Sequence, residues 1–126
     1  IRSAVEWAAR RKLRAVLAGG RDAWRVADLL ATNRIAVAFD HVFTQPERDI
    51  DPYDVHFAAP ARLAKAGVAV AFTDGVSRFG ASNVRNVPYA AAQAVAFGLP
   101  RDEAIRGLTL HPARMLGLDD RLGSLE

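Results

Sequence analysis

The chain has 126 residues, 51% of them hydrophobic and 25% charged, with a formal net charge of +3, nine glycines, six prolines and no cysteine. That length allows one ordinary domain, and an apolar fraction this high with so small a net charge excludes a disordered chain. Without cysteine there is no disulfide framework, no thiolate metal site and no cysteine nucleophile, so a metal would have to use His, Asp or Glu.

In chain order, Ala4, Val5, Ala8 and Ala9 recur at helical spacing among charges and predict an amphipathic helix within residues 1–12. Residues 13–18, Leu-Arg-Ala-Val-Leu-Ala, run into Gly19-Gly20, which predicts a buried strand closed by a tight turn. Asp22 is placed as the N-cap of a helix carrying Trp24, Val26, Ala27, Leu29, Leu30 and Ala31 that ends before Asn33. Residues 35–39, Ile-Ala-Val-Ala-Phe, predict a second buried strand, followed by a loop from Asp40 to Tyr53 with Pro46, Pro52 and four acidic residues. A helix from Phe57 to Ala66 stops at Gly67, and Val68 to Phe72 forms a third strand running into Thr73-Asp74-Gly75. A Gly, Ser and Asn loop is expected from Gly75 to Asn86. After it come a helix over residues 88–98 closed by Gly98, another with Pro100 near its first turn, and a last short one with Pro112 at its N-terminus.

Three helix-to-strand alternations with continuous apolar strands imply an α/β fold of parallel strands covered by helices on both faces. Three strands cannot close a barrel, which needs eight and roughly 250 residues, so the pattern fits a slice of one. The alternative, an open three-stranded doubly wound sheet, leaves two hydrophobic strand edges bare. The chain opens inside a helical pattern at Ile1-Arg2-Ser3 without an initiator Met and stops in a turn-rich segment, so both ends are expected to lie within a longer protein.

Fifteen of the seventeen basic residues are Arg, which lifts the pI to about 9.9. They are scattered from Arg2 to Arg121 near acidic neighbours and read as solvated helix faces, so no nucleic-acid partner is expected. No apolar run approaches the ~18 residues of a membrane span, so no membrane partner is expected either.

In parallel α/β architectures ligands sit beyond the carboxyl ends of the strands, here Gly19-Gly20-Arg21, Asp40-His41 and Thr73-Asp74-Gly75. Asp74 can point into a pocket there as a metal ligand or general base, or serve as an ordinary turn Asp. His41 can be a ligand, a proton donor or a substrate contact, or simply a hydrogen-bonded loop His. His56 and His111 are expected to cap or pack, and the three His lack metal-site spacing. The Gly75–Asn86 stretch could cradle an anion on backbone N–H groups or form a rim loop, without a phosphate-loop pattern, and no GxSxG elbow is present.

The segment 64–75 (Ala-Lys-Ala-Gly-Val-Ala-Val-Ala-Phe-Thr-Asp-Gly), Asn83-Val84-Arg85, residues 88–105 and the tail from Leu108 (Leu-Thr-Leu-His-Pro-Ala-Arg-Met-Leu-Gly) follow one another in a recognisable order and spacing. Together they resemble the C-terminal part of the metal-dependent amidohydrolase superfamily, most closely its imidazolonepropionase-like branch, with residues 1–63 fitting as the preceding helix-strand units. The resemblance implies the C-terminal part of a (β/α)8 TIM barrel whose last strand ends at Phe72. It also implies a divalent metal, usually zinc, with Asp74 both binding it and shuttling the proton of the metal-bound water that attacks an amide or ring carbonyl. The substrate would be a small amide or peptide-like molecule, with His41, Asn83 and Arg85 as candidate contacts. The family's His-x-His, bridging carboxylate and fifth-strand His would precede Ile1. Its sixth strand would be residues 13–18, where many members carry a metal His and this chain has Gly19-Gly20-Arg21.

Three functions follow as expectations. The first is a fragment of a hydrolase acting on C–N bonds, inactive by itself and needing the rest of the barrel or self-association into a homo-oligomer to cover its edges. The second is a non-catalytic binding protein of the same fold with a degenerate metal site. The third is an independent α/β domain holding a nucleotide or anion at the Gly75–Asn86 stretch.

Overall fold

A computed structural model describes residues 1–75 and 80–124, in which small apolar residues at helical spacing and short continuous apolar runs sort the chain into helices and strands. Helix α1 spans Arg2–Arg10, β1 Val16–Ala18, α2 Ala27–Thr32 after a 3-10 turn Ala23–Val26, β2 Ala36–Phe39, α3 Val55–Lys65 and β3 Val70–Phe72. Then follow α4 Gly80–Asn83, continued by a 3-10 turn Val84–Asn86, α5 Val87–Ala96, α6 Arg101–Leu108 and α7 Leu110–Leu116. No helix among the described residues is long and apolar enough to cross a membrane.

The strands form one parallel sheet in the order β1-β2-β3, with Leu17 in register with Val37, Val37 with Val70, and Phe39 with Phe72. Residues in register share a face of the sheet. Val37, Phe39, Val70 and Phe72 are buried, and Leu17 packs against the same apolar cluster, which also takes in Leu30 of α2, Leu63 of α3, Ala91 and Ala94 of α5 and Ala104 of α6. The opposite face carries exposed Val16 and Ala18 on β1 and half-buried Ala36 and Ala38 on β2. The expectation of helices on both faces is therefore corrected. Crossovers of the usual right hand that all step the same way along a sheet put every connecting helix on the same side. A doubly wound sheet needs a reversal of strand order to cover its second face, and none occurs among these strands. One helix-covered face of large residues and an opposite face of small ones, open on β1 and β2 though buried at Ala71 of β3, is the arrangement of a barrel wall.

Three helices hand the chain to the next strand by the same device. At the end of α2, Arg34 N donates to Ala31 O (3.0 Å) and Ile35 N to Leu30 O (2.9 Å). At the end of α3, Gly67 N donates to Ala64 O (2.9 Å) and Val68 N to Leu63 O (3.0 Å), and α1 closes alike through Lys12 and Leu13. The bonds satisfy orphan helix carbonyls, and after α2 and α3 they turn an apolar residue, Ile35 or Val68, into the core, whereas Leu13 after α1 stays exposed. Gly67 adopts the required left-handed φ of +87°, whereas Lys12 (φ 55°) and Arg34 (φ 54°) adopt it with a side chain.

Other details differ from expectation. Helix α3 begins at Val55, two residues before Phe57, and continues through Pro60. Asp22 precedes the 3-10 turn but makes no capping hydrogen bond; its carboxylate faces Arg25 (3.2 Å) and Arg48 (3.3 Å) instead. The loop expected over Gly75–Asn86 holds two helical turns, α4 and Val84–Asn86, while positions 76–79 lie outside the described residues. Buried His111 packs, its Nδ1 donating to Val70 O at 2.9 Å from α7.

Candidate functional site

Two backbone bonds extend the ladder past the strand ends: Gly19 N donates to Ala38 O (2.8 Å) and Thr73 N to Phe39 O (3.1 Å). They bring Gly19, Asp40 and Thr73-Asp74 side by side at the carboxyl edge of the sheet, the edge at which parallel α/β folds bind ligands. Asp40, from the middle strand, sits between two glycines in left-handed conformations. A Cβ on Gly19 would stand 3.8 Å from Asp40 Oδ1 and 3.7 Å from His41 Nε2, and one on Gly75 only 2.8 Å from Asp40 Oδ2. The glycines leave the room that the Asp40 carboxylate fills.

Asp40 and Asp74 line one cleft of about 160 Å³, with Thr44 and Thr73 as further polar walls and Val42, Phe43 and Val87 as apolar ones. Asp40 Oδ1 and Asp74 Oδ2 are buried there with no hydrogen-bond partner. Buried carboxylate oxygens are normally satisfied, so two such oxygens at the rim are acceptors that a donor or a cation would satisfy. A larger groove of about 570 Å³, lined by Ala58, Ala61 and Phe97, lies on the helix side of the sheet, away from the strand ends.

His41 is half-buried beside Asp40, its Nε2 3.1 Å from Asp40 Oδ1 without forming a hydrogen bond. Burial pushes the imidazole below its ordinary value; Asp40 opposes the drop, Arg21 and His56 add to it, and Glu47 opposes it. The ring is thereby kept in its neutral form, which can accept a proton or ligate.

The turn after β2 is held from within. Thr44 N (3.1 Å) and Thr44 Oγ1 (2.8 Å) both donate to His41 O. Buried His56, on the first turn of α3, places Nδ1 2.9 Å from both Thr44 Oγ1 and Thr44 O. Farther along, Arg21 with Glu47, Arg48 with Asp22, and Arg25 with Asp51 strap this loop to the corner after β1. Many of the scattered arginines thus serve local ion pairs.

Among the residues singled out from sequence, Asp74 and His41 lie at neighbouring strand ends, Asp74 in the cleft and His41 beside Asp40. Asn83 and Arg85 are exposed on α4 and on the turn after it, and from that stretch Asn86 lines the cleft. Sequence reasoning passed over Asp40 and Thr44. The signal for Asp40 was its place at the end of β2, equivalent to that of Asp74 on β3.

For a divalent ion, Asp74 offers one buried oxygen free of hydrogen bonds and fits as a single ligand. Among the described residues, no group of three or more His, Asp or Glu is arranged to hold a metal ion. Further ligands would have to come from outside these residues.

No protein-family model matches the sequence, and no curated protein matches it. Solved structures do. An amidohydrolase from Thermotoga maritima MSB8 matches 98% of this chain with a TM-score of 0.79 and 26% identity, over 31% of its own chain. An uncharacterised protein matches 98% of this chain at a TM-score of 0.67 and 19% identity, over 33% of its length. Another amidohydrolase matches 98% at a TM-score of 0.65 and 23% identity, over 32% of its length. This chain spans about a third of the length of the structures it matches, and its fold is that of part of an amidohydrolase barrel.

Proposed function

We propose that this chain is the C-terminal part of a (β/α)8 amidohydrolase barrel of the imidazolonepropionase-like kind. In this reading Asp74 is the proton-transfer carboxylate for hydrolysis of C–N bonds in a small amide or peptide-like substrate. The observation that carries this reading is Asp74 Oδ2, buried at the carboxyl end of β3 without a hydrogen-bond partner, in the cleft that Asp40 shares. The open face of small residues on β1 and β2 supports it as well, since that face would meet the other strands across the barrel interior.

A divalent ion, zinc in this reading, supplies when bound a water acidified to near neutrality. Asp74 is the residue of this chain that would hold the ion, with the remaining ligands on the rest of the barrel. Asp74 takes the proton of the attacking water and passes it to the leaving nitrogen as the C–N bond breaks. The apolar wall of Val42, Phe43 and Val87 keeps bulk water from competing for that proton, and His41, Asn83 and Arg85 contact the substrate. The partner this wall needs is the rest of its own barrel or, failing that, a further copy of the chain.

The test is metal analysis of the full-length protein together with a hydrolysis panel of N-acyl amino acids, dipeptides and cyclic amides. Bound divalent metal and turnover of at least one class are expected. A metal-free protein that binds such compounds without cleaving them would favour a non-catalytic barrel, the reading that Gly19-Gly20 at the end of β1 suggests.

A further inference from the structure

His56 takes no part in that chemistry, yet both hydrogen bonds of its ring run to the wall of the cleft. Thr44 O can only accept, and the single Thr44 hydroxyl proton already goes to His41 O at 2.8 Å. The proton between the ring and Thr44 therefore belongs to Nδ1, which donates to Thr44. His56 is 3% exposed, and it stands on a helix anchored in the core by Val55 (1%), Ala59 (0%) and Leu63 (0%). We propose that His56 is a positioning residue: its Nδ1–H, clamped on Thr44, carries the rigidity of α3 into the His41–Thr44 turn and so holds Asp40 and His41 at the edge where Asp74 stands.

This inference rests on the proposed function in taking that edge as the working site. Val42, 2% exposed, is the apolar anchor of the same turn; His56 is its buried polar one. Hydrogen bonds shielded from water in this way are stronger than exposed ones and specify one arrangement. The segment between them, residues 45–54, is tied by its Arg pairs to the corner after β1; the turn itself is held by Val42, by the edge-on contact of Phe43 with Phe57 of α3 and by His56, which alone among these grips its backbone.

The experiment uses the full-length protein and follows the His41 imidazole by NMR through a pH titration, its signals identified by their loss in His41→Gln. The groups that act on His41 are Asp40, Arg21, His56 and Glu47. His56→Leu removes the donor, whereas His56→Asn removes the ring but returns an amide N–H close to the place of Nδ1–H. In His56→Leu the turn loosens, water reaches His41, and its midpoint rises by about half a pH unit or more; in His56→Asn it stays within ~0.2 unit of wild type. Equal rises in both variants would make His56 only an electrostatic neighbour. A lower melting temperature in His56→Leu with an unmoved midpoint would make it only a packing residue. Either result overturns the proposal. Should His56→Leu not fold, His56→Phe keeps a ring in the same buried place and removes the donor; a rise is expected there too, and an unmoved midpoint contradicts the clamp. Failure of the proposed function would show separately, as absent metal or absent turnover in the wild-type protein.

Discussion

Asp40 at the end of β2 and Gly75 at the end of β3 are fitted to one another: a Cβ on Gly75 would stand 2.8 Å from Asp40 Oδ2. Gly75 also holds a φ of +75°. Gly75→Ala should therefore carry two costs, the left-handed backbone of about 1–2 kcal/mol and the displacement of the Asp40 carboxylate. Gly67, with φ +87° and nothing within 4 Å of its would-be Cβ, isolates the first cost. Denaturant unfolding of both alanine variants is expected to show Gly75→Ala the more destabilised. Equal losses would mean that Asp40 moves aside freely.

Arg34 ends α2 with φ 54° and an exposed side chain. Arg34→Gly keeps the two closing hydrogen bonds and removes the backbone strain, so a gain of about 0.5–1 kcal/mol is expected after the extra entropy of an unfolded glycine is set against it. A thermal melt decides this; a lower melting temperature would show that the Arg34 side chain contributes more than its backbone costs.

His41 makes stability depend on pH. Its folded value lies below the ordinary 6.5, so between the two values the unfolded chain binds more protons than the folded one. The contribution of neutral His41 is fully present above about pH 6.5 and is lost as pH falls through the lowered value. Melting temperatures of wild type and His41→Gln between pH 5 and pH 8 should converge toward the acid end. A gap that widens on acidification would reverse the sign and contradict the burial of the ring.

The order of elements was legible because each strand is a short apolar run ended by Gly or Asp, and helices such as α3 and α5 stop at Gly67 and Gly98. The ends of α1 and α2 carried no such mark, since Lys12 and Arg34 adopt the left-handed turn without being glycine. The covered faces of the sheet were misjudged: continuous runs such as Ala-Val-Ala-Phe look buried on both sides, and only the strand order tells on which side the helices return. Asp74 stood out by its place at a strand end. Asp40 held an equivalent strand end, but the niche that fits its carboxylate was not legible, because Gly19 and Gly75 lie on two other strands and their approach depends on a register that residue types do not encode. The link from His56 to Thr44 crosses twelve residues and was equally invisible.

Whether Asp74 transfers the proton in C–N hydrolysis is read from the turnover of Asp74→Asn in the full-length protein on whichever amide the wild type cleaves. A fall in kcat of about a thousandfold or more is expected with the fold intact. Turnover within a few-fold of wild type would contradict it.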